Sequence, residues 1–173
     1  MAFLENEQLK LRALEPSDID DIYQWENDTE IWSVSNTVAP FSRQIIIEYL
    51  RDYKADIFSQ RQLRLMIVEK QSLANVGMID LYNFDPFNSR VHLGIIIDAQ
   101  FRKKGYGQSA TKLTINYCRD FLKLHQIIIE TPQSNPNSMK LFEAVGFAPC
   151  GVLKDWLKTP NGYDNLNIYQ LVF

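Results

Sequence analysis

The sequence predicts an α/β protein with a mixed, mainly antiparallel sheet of about seven strands and helices on both faces. Three apolar segments, 63–69, 76–84 and 90–98, are separated by short polar runs, which is typical of an antiparallel meander. The last segment continues through a helical pattern into the short apolar strand 126–131, and this strand–helix–strand unit should be parallel and right-handed. The dipeptide Asn161-Gly162 predicts a closing hairpin.

The first third of the chain predicts one strand and two helices. Residues 8–14 alternate apolar and polar side chains, as a half-buried strand does. Ser17 with Asp20 resembles a capping box that opens a helix, and Ser42 is suited to cap a second helix. Residues 27–41 show no clean period, which indicates a loop or a broken helix of functional length.

The last third predicts a helix between two strand regions. Asn135-Pro136 starts the helix as cap and first helical residue, and Gly146 ends it. Segments 152–158 and 166–172 are the strands that the hairpin joins.

Composition limits the class of protein. The 173 residues, 46% of them apolar, suit one domain over 1–173, and a net charge of −3 argues against a nucleic-acid or anionic-membrane partner. Cys118 and Cys150 form no CxxC pair, which fits a reducing cytoplasm. The N-terminus lacks a signal-peptide pattern, and no run of about eighteen apolar residues occurs, so we expect no membrane span.

Residues 102–107, Arg-Lys-Lys-Gly-Tyr-Gly, predict a pyrophosphate site. They join a strand to a helix, so free backbone N–H groups and the positive end of the helix dipole are available to a di-anion. Gly105 and Gly107 permit close approach of the backbone. A tight turn with solvated cations is the competing interpretation, because short glycine motifs are weak evidence alone.

A dinucleotide site is one alternative for this loop. Residues 105–110 fit the pattern GxGxxA, and Glu130 lies about twenty residues on, where a ribose-binding acid is expected. However, six residues separate the strand from Gly105, and the chain has one crossover unit where a nicotinamide-binding domain needs several.

The whole chain resembles the GNAT superfamily of N-acyltransferases. Arg102, Gly105 and Gly107 match its acetyl-CoA signature [Q/R]-x-x-G-x-[G/A], and a second motif follows at the right separation as Asn135-Pro136-Asn137-Ser138, Leu141-Phe142 and Gly146-Phe147. The opening segment 9–15 and the hairpin at 161–163 resemble the branch with spermidine and ribosomal-protein N-terminal acetyltransferases. The resemblance implies transfer of an acetyl group from acetyl-CoA to a primary amine, by direct attack in a ternary complex.

The resemblance also implies which residues hold the cofactor. The sheet should splay between strands 91–98 and 126–131, and the pantetheine arm should pair with the backbone of Ile95, Ile96 and Ile97. A backbone N–H near Ile95 or Ile96 should polarise the thioester carbonyl, and no metal is needed. The pyrophosphate should be held by Arg102, Lys103, Lys104, Gly105, Tyr106 and Gly107. Asn135 should order the loop beside the cofactor, a role as compatible with the sequence as a plain helix cap.

Two side chains compete for the role of general base, because an ammonium must lose a proton before it attacks a thioester. Glu130 lies five residues before Asn135, where N-terminal acetyltransferases of the family carry a glutamate. His92 stands where many relatives have glutamate, and it titrates near neutral pH. Either residue has an inert alternative, a solvent-facing charge or a packed histidine. His125 is expected to be structural.

Phe142 departs from the family, which has a tyrosine general acid at this position beside the cofactor. Phenylalanine cannot protonate the departing thiolate, although a thiol with a pKa around 8.5 leaves tolerably without help. Tyr106, Tyr163 or a water are the candidate substitutes. The same gap keeps a second class of function open, a catalytically weak acyl-CoA-binding regulatory protein.

The resemblance also implies that the acceptor site borders the loop after the first helix. Glu26, Asp28 and Trp32 combine acids with an aromatic ring and would suit a cationic amine. A solvated charge cluster is the alternative. Polyamines, protein N-termini and aminoglycosides all stay open as acceptors, as does a homo-oligomeric state.

Overall fold

The computed structural model describes residues 3–35 and 37–173, and within these ranges seven strands form one sheet. The strand order is β1-β2-β3-β4-β5-β7-β6, and β4–β5 is the one parallel pair among antiparallel neighbours. The predicted fold class is therefore confirmed. The strands are β1 (Leu9–Ala13), β2 (Leu63–Glu69), β3 (Asn75–Asp85), β4 (Arg90–Ile97), β5 (Gln126–Pro132), β6 (Ala148–Thr159) and β7 (Gly162–Val172).

Helices cover both faces of the sheet, as predicted. Ile22 and Ile46 anchor α1 and α3 on one face, and Leu113 and Phe142 anchor α5 and α6 on the other. Both faces need cover because central strands bury successive side chains on opposite sides. The helices are α1 (Ile19–Glu26), α2 (Thr29–Ser35), α3 (Arg43–Asp52), α4 (Ile57–Gln60), α5 (Tyr106–Asn116) and α6 (Pro136–Glu143).

The parallel strands β4 and β5 separate soon after they begin. They pair only from Arg90↔Gln126 to His92↔Ile128, while β4 keeps its bonds to β3 as far as Ile97. Beyond His92, the edge of β4 that faces β5 has no strand partner among the described residues. The sheet is thus splayed where the resemblance predicted, and backbone groups along 93–97 are available on that edge.

The structure confirms some of the predicted helix caps and contradicts one. Ser42 and Asn135 cap α3 and α6 as predicted, each accepting a backbone N–H three residues on. The capping box predicted for Ser17 and Asp20 is wrong. Glu15 and Asp18 form the box instead, and the Asp18 carboxylate accepts the backbone N–H of Glu15 at 2.8 Å. The segment 27–41 contains the short helix α2.

Membrane-spanning helices and clusters of metal ligands are both absent from residues 3–35 and 37–173. No helix there is long and apolar enough to cross a membrane. In the same ranges, no three His, Cys, Asp or Glu side chains are grouped so as to hold a metal ion.

Candidate active site

The turn between β4 and α5 is built for an anion. The chain leaves β4 at Asp98, makes a 3-10 turn over Ala99–Phe101 and enters α5 through Gly105 in the left-handed region, with φ 82°. A Cβ at Gly105 would meet nothing within 4 Å, so the space in front of the helix N-terminus is open. The first N–H groups of α5 face this space without intrahelical partners.

The remaining residues of this turn divide into exposed cations and packed side chains. Lys103 and Lys104 are exposed, and the Nε–H of Arg102 donates to the carbonyl of Ile97 at 3.0 Å. Tyr106 packs its ring against Phe101, with 6.2 Å between centroids. Arg102, Lys103 and Lys104 are thus exposed just before the N-terminus of α5, whereas the Tyr106 ring is directed into packing.

Gly107 lies inside the first turn of α5 and needs no unusual backbone angle. A Cβ there would approach Leu141 at 3.5 Å and Ile97 at 3.6 Å, which are ordinary contacts. Of the two glycines in the motif, Gly105 is therefore the one that the backbone conformation demands.

A cavity of about 600 Å³ opens where β4 and β5 part. It combines the backbone of the β4 edge with side chains from β5, α6, α2 and the β6–β7 hairpin. The sequence-predicted residues that line it are Ile95, Ile96, Glu130, Asn135 and Phe142. Five residues proposed from separate motifs therefore meet at one site.

Glu130 and His92 lie on one face of the sheet at the edge of this cavity. His92 Nδ1 is 3.8 Å from Glu130 Oε1, and it is buried with no hydrogen-bond partner in the described chain. Burial lowers the pKa of His92, and Glu130 opposes that effect only in part. His92 is therefore neutral at pH 7, while the Glu130 carboxylate, 35% exposed and lining the cavity, is the one in reach of a substrate.

An ion-paired cluster that sequence reasoning missed forms another wall. Arg64 binds Glu26 at 2.7 Å and Asp80 at 3.0 Å, and Gln62 donates to the same oxygen of Asp80 at 2.7 Å. Arg64 and Asp80 both line the cavity. Burial raises the pKa of Asp80, with Arg64 acting in the opposite direction. The available signal was register, since Arg64 and Asp80 are cross-strand partners on β2 and β3.

Tyr82 lies between the two carboxylates of the cavity. Its pKa is raised by burial and further by the charges of Glu130 and Asp80. Its ring packs against His92, with 5.3 Å between centroids. Tyr82 thus places a phenol beside the proposed base, another feature that local sequence did not indicate.

The predicted acceptor residues have partners within the chain, and their role in acceptor binding stays a prediction. The Glu26 carboxylate is taken up by Arg64, and its carbonyl accepts the Trp32 indole N–H at 3.0 Å. Asp28 accepts the backbone N–H of Glu30 at 2.9 Å. None of Glu26, Asp28 and Trp32 lines the cavity. Their polar atoms stabilise the ends of α1 and α2, because free helix-terminal groups need partners.

The Phe142 side chain itself offers no proton donor to the cavity. Phe142 is buried, and its ring packs edge-on against Phe147 at 5.7 Å. The candidate substitutes Tyr106 and Tyr163 do not line the cavity, whereas Tyr82 and Ser138 do. His125 is exposed, also lies off the cavity, and its backbone N–H donates to the Ser89 carbonyl at 2.7 Å.

Comparison with known proteins identifies the family. The model of the Acetyltransferase (GNAT) domain matches residues 8–148. A spermidine N(1)-acetyltransferase of Vibrio cholerae is 27% identical over 86% of this chain and 83% of its own. The putative ribosomal N-acetyltransferase YdaF of Bacillus subtilis is 26% identical over 96% of this chain and 92% of its own.

A solved structure of the Vibrio cholerae spermidine N-acetyltransferase with CoA and spermine has the same fold. Its TM-score is 0.86 at 23% identity, and 96% of each chain is covered. The dinucleotide interpretation of the glycine loop is overturned by this fold and by the family match. The chain belongs to the GNAT acetyltransferase family and is an acetyl-CoA-dependent N-acetyltransferase.

Proposed function

We propose that this enzyme acetylates a primary amine of a small polyamine or diamine, with Glu130 as the general base. The observation that carries the proposal is the cavity at the splayed strands, where the free β4 edge meets Glu130. The spermidine acetyltransferases among the relatives support the choice of acceptor.

The cofactor contacts in this proposal come from two parts of the chain. Arg102, Lys103, Lys104 and the N–H groups that follow Gly105 hold the pyrophosphate. The β4 edge at 95–97 pairs with the pantetheine arm, and an N–H near Ile95 or Ile96 donates to the thioester oxygen as negative charge develops there. Acetyl-CoA supplies the activated acetyl group. Asn135 and Phe142 shape the adjoining wall.

Glu130 takes the proton that the attacking amine must lose. Neutral His92 is its positioning partner, because a movement of under about 1 Å would let Nδ1–H donate to Oε1, and such bonds often tighten only when substrate is bound. Tyr82 or Ser138 assists the departing thiolate as a hydrogen-bond donor, in place of the missing tyrosine. Tyr82 and Ser138 line the cavity, unlike Tyr106 and Tyr163.

The two carboxylates of the cavity stand where an acceptor with two amine groups could reach both. Asp80 and Glu130 present carboxylates, and Arg64 is shared between Asp80 and Glu26. Arg61 also lines the cavity. One ammonium would lose its proton near Glu130 while another is held toward Asp80.

The proposal extends to the compartment and the assembly of the enzyme. Cys118 and Cys150 are unpaired, which suits a reducing cytoplasm. A Vibrio cholerae relative is described as dodecameric, and we propose that this chain also forms a homo-oligomer. Light scattering of the purified protein measures the assembly directly.

The decisive test is a thiol-release assay with acetyl-CoA and a panel of acceptors. The panel contains diamines, triamines, amino acids, aminoglycosides and basic N-terminal peptides. Turnover that is greatest with polyamines supports the proposal, and turnover confined to peptides contradicts the acceptor class. Tight acetyl-CoA binding without turnover on any acceptor would favour the regulatory alternative, to which the missing tyrosine first pointed.

A further inference from the structure

Asp98 occupies the junction between the free edge of β4 and the turn that leads to Gly105. Its two carboxylate oxygens have different partners. One accepts the backbone N–H of Gln100 at 2.9 Å and so caps the 3-10 turn, and the other accepts the indole N–H of Trp25 at 2.8 Å. Its own backbone N–H donates to the Val76 carbonyl at 3.0 Å. Asp98 therefore ties the cofactor turn to both the sheet and α1.

The hydrogen bond between Trp25 and Asp98 is shielded from solvent and joins distant parts of the chain. Trp25 is 3% exposed and Asp98 is 9% exposed, and the two residues are 73 apart in sequence. A hydrogen bond to a charged group in such surroundings is stronger than a neutral one and costly to leave unmade. Trp25 belongs to the apolar cluster under α1 and α3, so its indole has a fixed position from which to hold Asp98.

We propose that Trp25 and Asp98 are positioning residues for acetyl-CoA binding. Neither side chain lines the cavity, and neither has a place in the chemistry. Their bond sets the direction in which the chain leaves β4, and through the capped turn it sets where Arg102 and the N-terminus of α5 stand relative to the β4 edge. This inference rests on the proposed placement of the pyrophosphate at 102–107.

The position of the turn relative to β4 matters because one ligand must bind to both. A pantetheine arm paired with 95–97 and a pyrophosphate bound at 102–107 belong to one ligand, so the two subsites must keep a fixed separation. Asp98 is the residue between them. A turn freed from α1 would keep both subsites but lose their mutual alignment, and binding would weaken without loss of the chemistry.

Trp25→Phe removes the N–H and keeps an aromatic ring, and the packing lost with the smaller ring is recorded by the melting temperature. We expect the Kd of acetyl-CoA, measured by calorimetry without acceptor, to rise about tenfold. At saturating acetyl-CoA, kcat and the KM of the amine should change less than twofold. Asp98→Asn should behave alike, since one amide oxygen cannot serve both donors.

Tyr169→Phe is the matched control. It also removes a bond from an aromatic donor to a carboxylate, Tyr169 to Glu143 at 3.2 Å, away from the cofactor turn. A comparable loss of melting temperature in both variants, with no change in acetyl-CoA Kd for Trp25→Phe, would overturn the proposal. If Asp98→Asn fails to fold, amide hydrogen exchange of residues 99–107 in Trp25→Phe replaces it as the test. Unaltered protection of these amides would contradict a positioning role for Trp25 and Asp98. Because the Kd of acetyl-CoA is measured without any acceptor, the result does not depend on whether the proposed polyamine acceptor is correct.

Discussion

The cofactor turn and the acceptor cavity are built in opposite ways. The turn uses one continuous stretch, 98–107, and works mainly through backbone groups and the direction of α5. The cavity uses single side chains from β2, β3 and β5, which are brought together by strand register. A site made of contiguous backbone leaves its pattern in the sequence, whereas a site made of dispersed side chains becomes visible only after folding.

Gly105→Glu should have the largest effect and should fall on the turn alone. The side chain points into open space, so it meets the pyrophosphate with like charge, and we expect acetyl-CoA affinity to fall by more than about a hundredfold. A side chain at the left-handed φ of 82° strains the folded state and should lower the free energy of unfolding by about 1 kcal/mol. Gly105→Ala is the control, since it carries the same strain without charge. Equal loss of affinity in both variants would implicate strain instead.

Glu130→Gln should affect the chemistry and leave the turn intact. Loss of a positioned base typically costs about a hundredfold or more in kcat, and acetyl-CoA Kd should stay within twofold. The acidic limb of the kcat/KM profile should flatten in Glu130→Gln and persist in His92→Gln. The exposed Glu7→Gln serves as control. A flattened limb in the histidine variant instead would make His92 the base.

Phe142→Tyr should raise kcat by introducing a proton donor in the cavity wall. A phenol there could donate to the departing thiolate, and we expect kcat to rise by less than about tenfold, below the hundredfold limit of acid catalysis, since the ring is already packed against Phe147. Steady-state rates with pH measure it. Unchanged kcat with intact acetyl-CoA affinity would mean that another hydroxyl serves or that thiolate departure is not limiting.

Asp80→Asn should change acceptor choice only. Removal of one partly exposed carboxylate should raise the KM of diamines and triamines about fivefold, while a monoamine of equal length serves as the matched control and changes little. The Kd of acetyl-CoA should not move. An equal rise for monoamine and diamine would show that Asp80 supports Arg64 and does not contact the second ammonium.

His92→Gln should produce the smallest effect, seen in stability against pH. Burial lowers the pKa of His92 in the folded state below its unfolded value of about 6.5. Protons therefore favour the unfolded chain, so stability is constant above about pH 6.5 and falls as pH drops below it. The variant should lack this loss of stability at acid pH. Urea unfolding at pH 7.5 and pH 5 measures the difference.

Some polar side chains that local sequence patterns single out have partners that only tertiary structure supplies. Acids and aromatic rings close together at 25–32 predict an acceptor role for Glu26, which stays a prediction, and in the structure its carboxylate binds Arg64 on β2. The box at Ser17 failed because Asp18 accepts the Glu15 N–H and binds Arg12. In each case a polar side chain was taken by a partner that tertiary structure supplied, as buried polar groups require.

The amino-acid sequence by itself determined the seven strands, the helices α1, α3, α5 and α6, the capped start of α6, the glycine at the entrance to α5 and the family. These depend on periodicity, caps and turn residues, which act within a few positions of the chain. Tertiary structure alone decided that Asp80 stands opposite Arg64, that His92 approaches Glu130 and that Trp25 holds Asp98. Those pairs follow from strand register and helix docking, which are set by burial of the whole core and not by any local pattern.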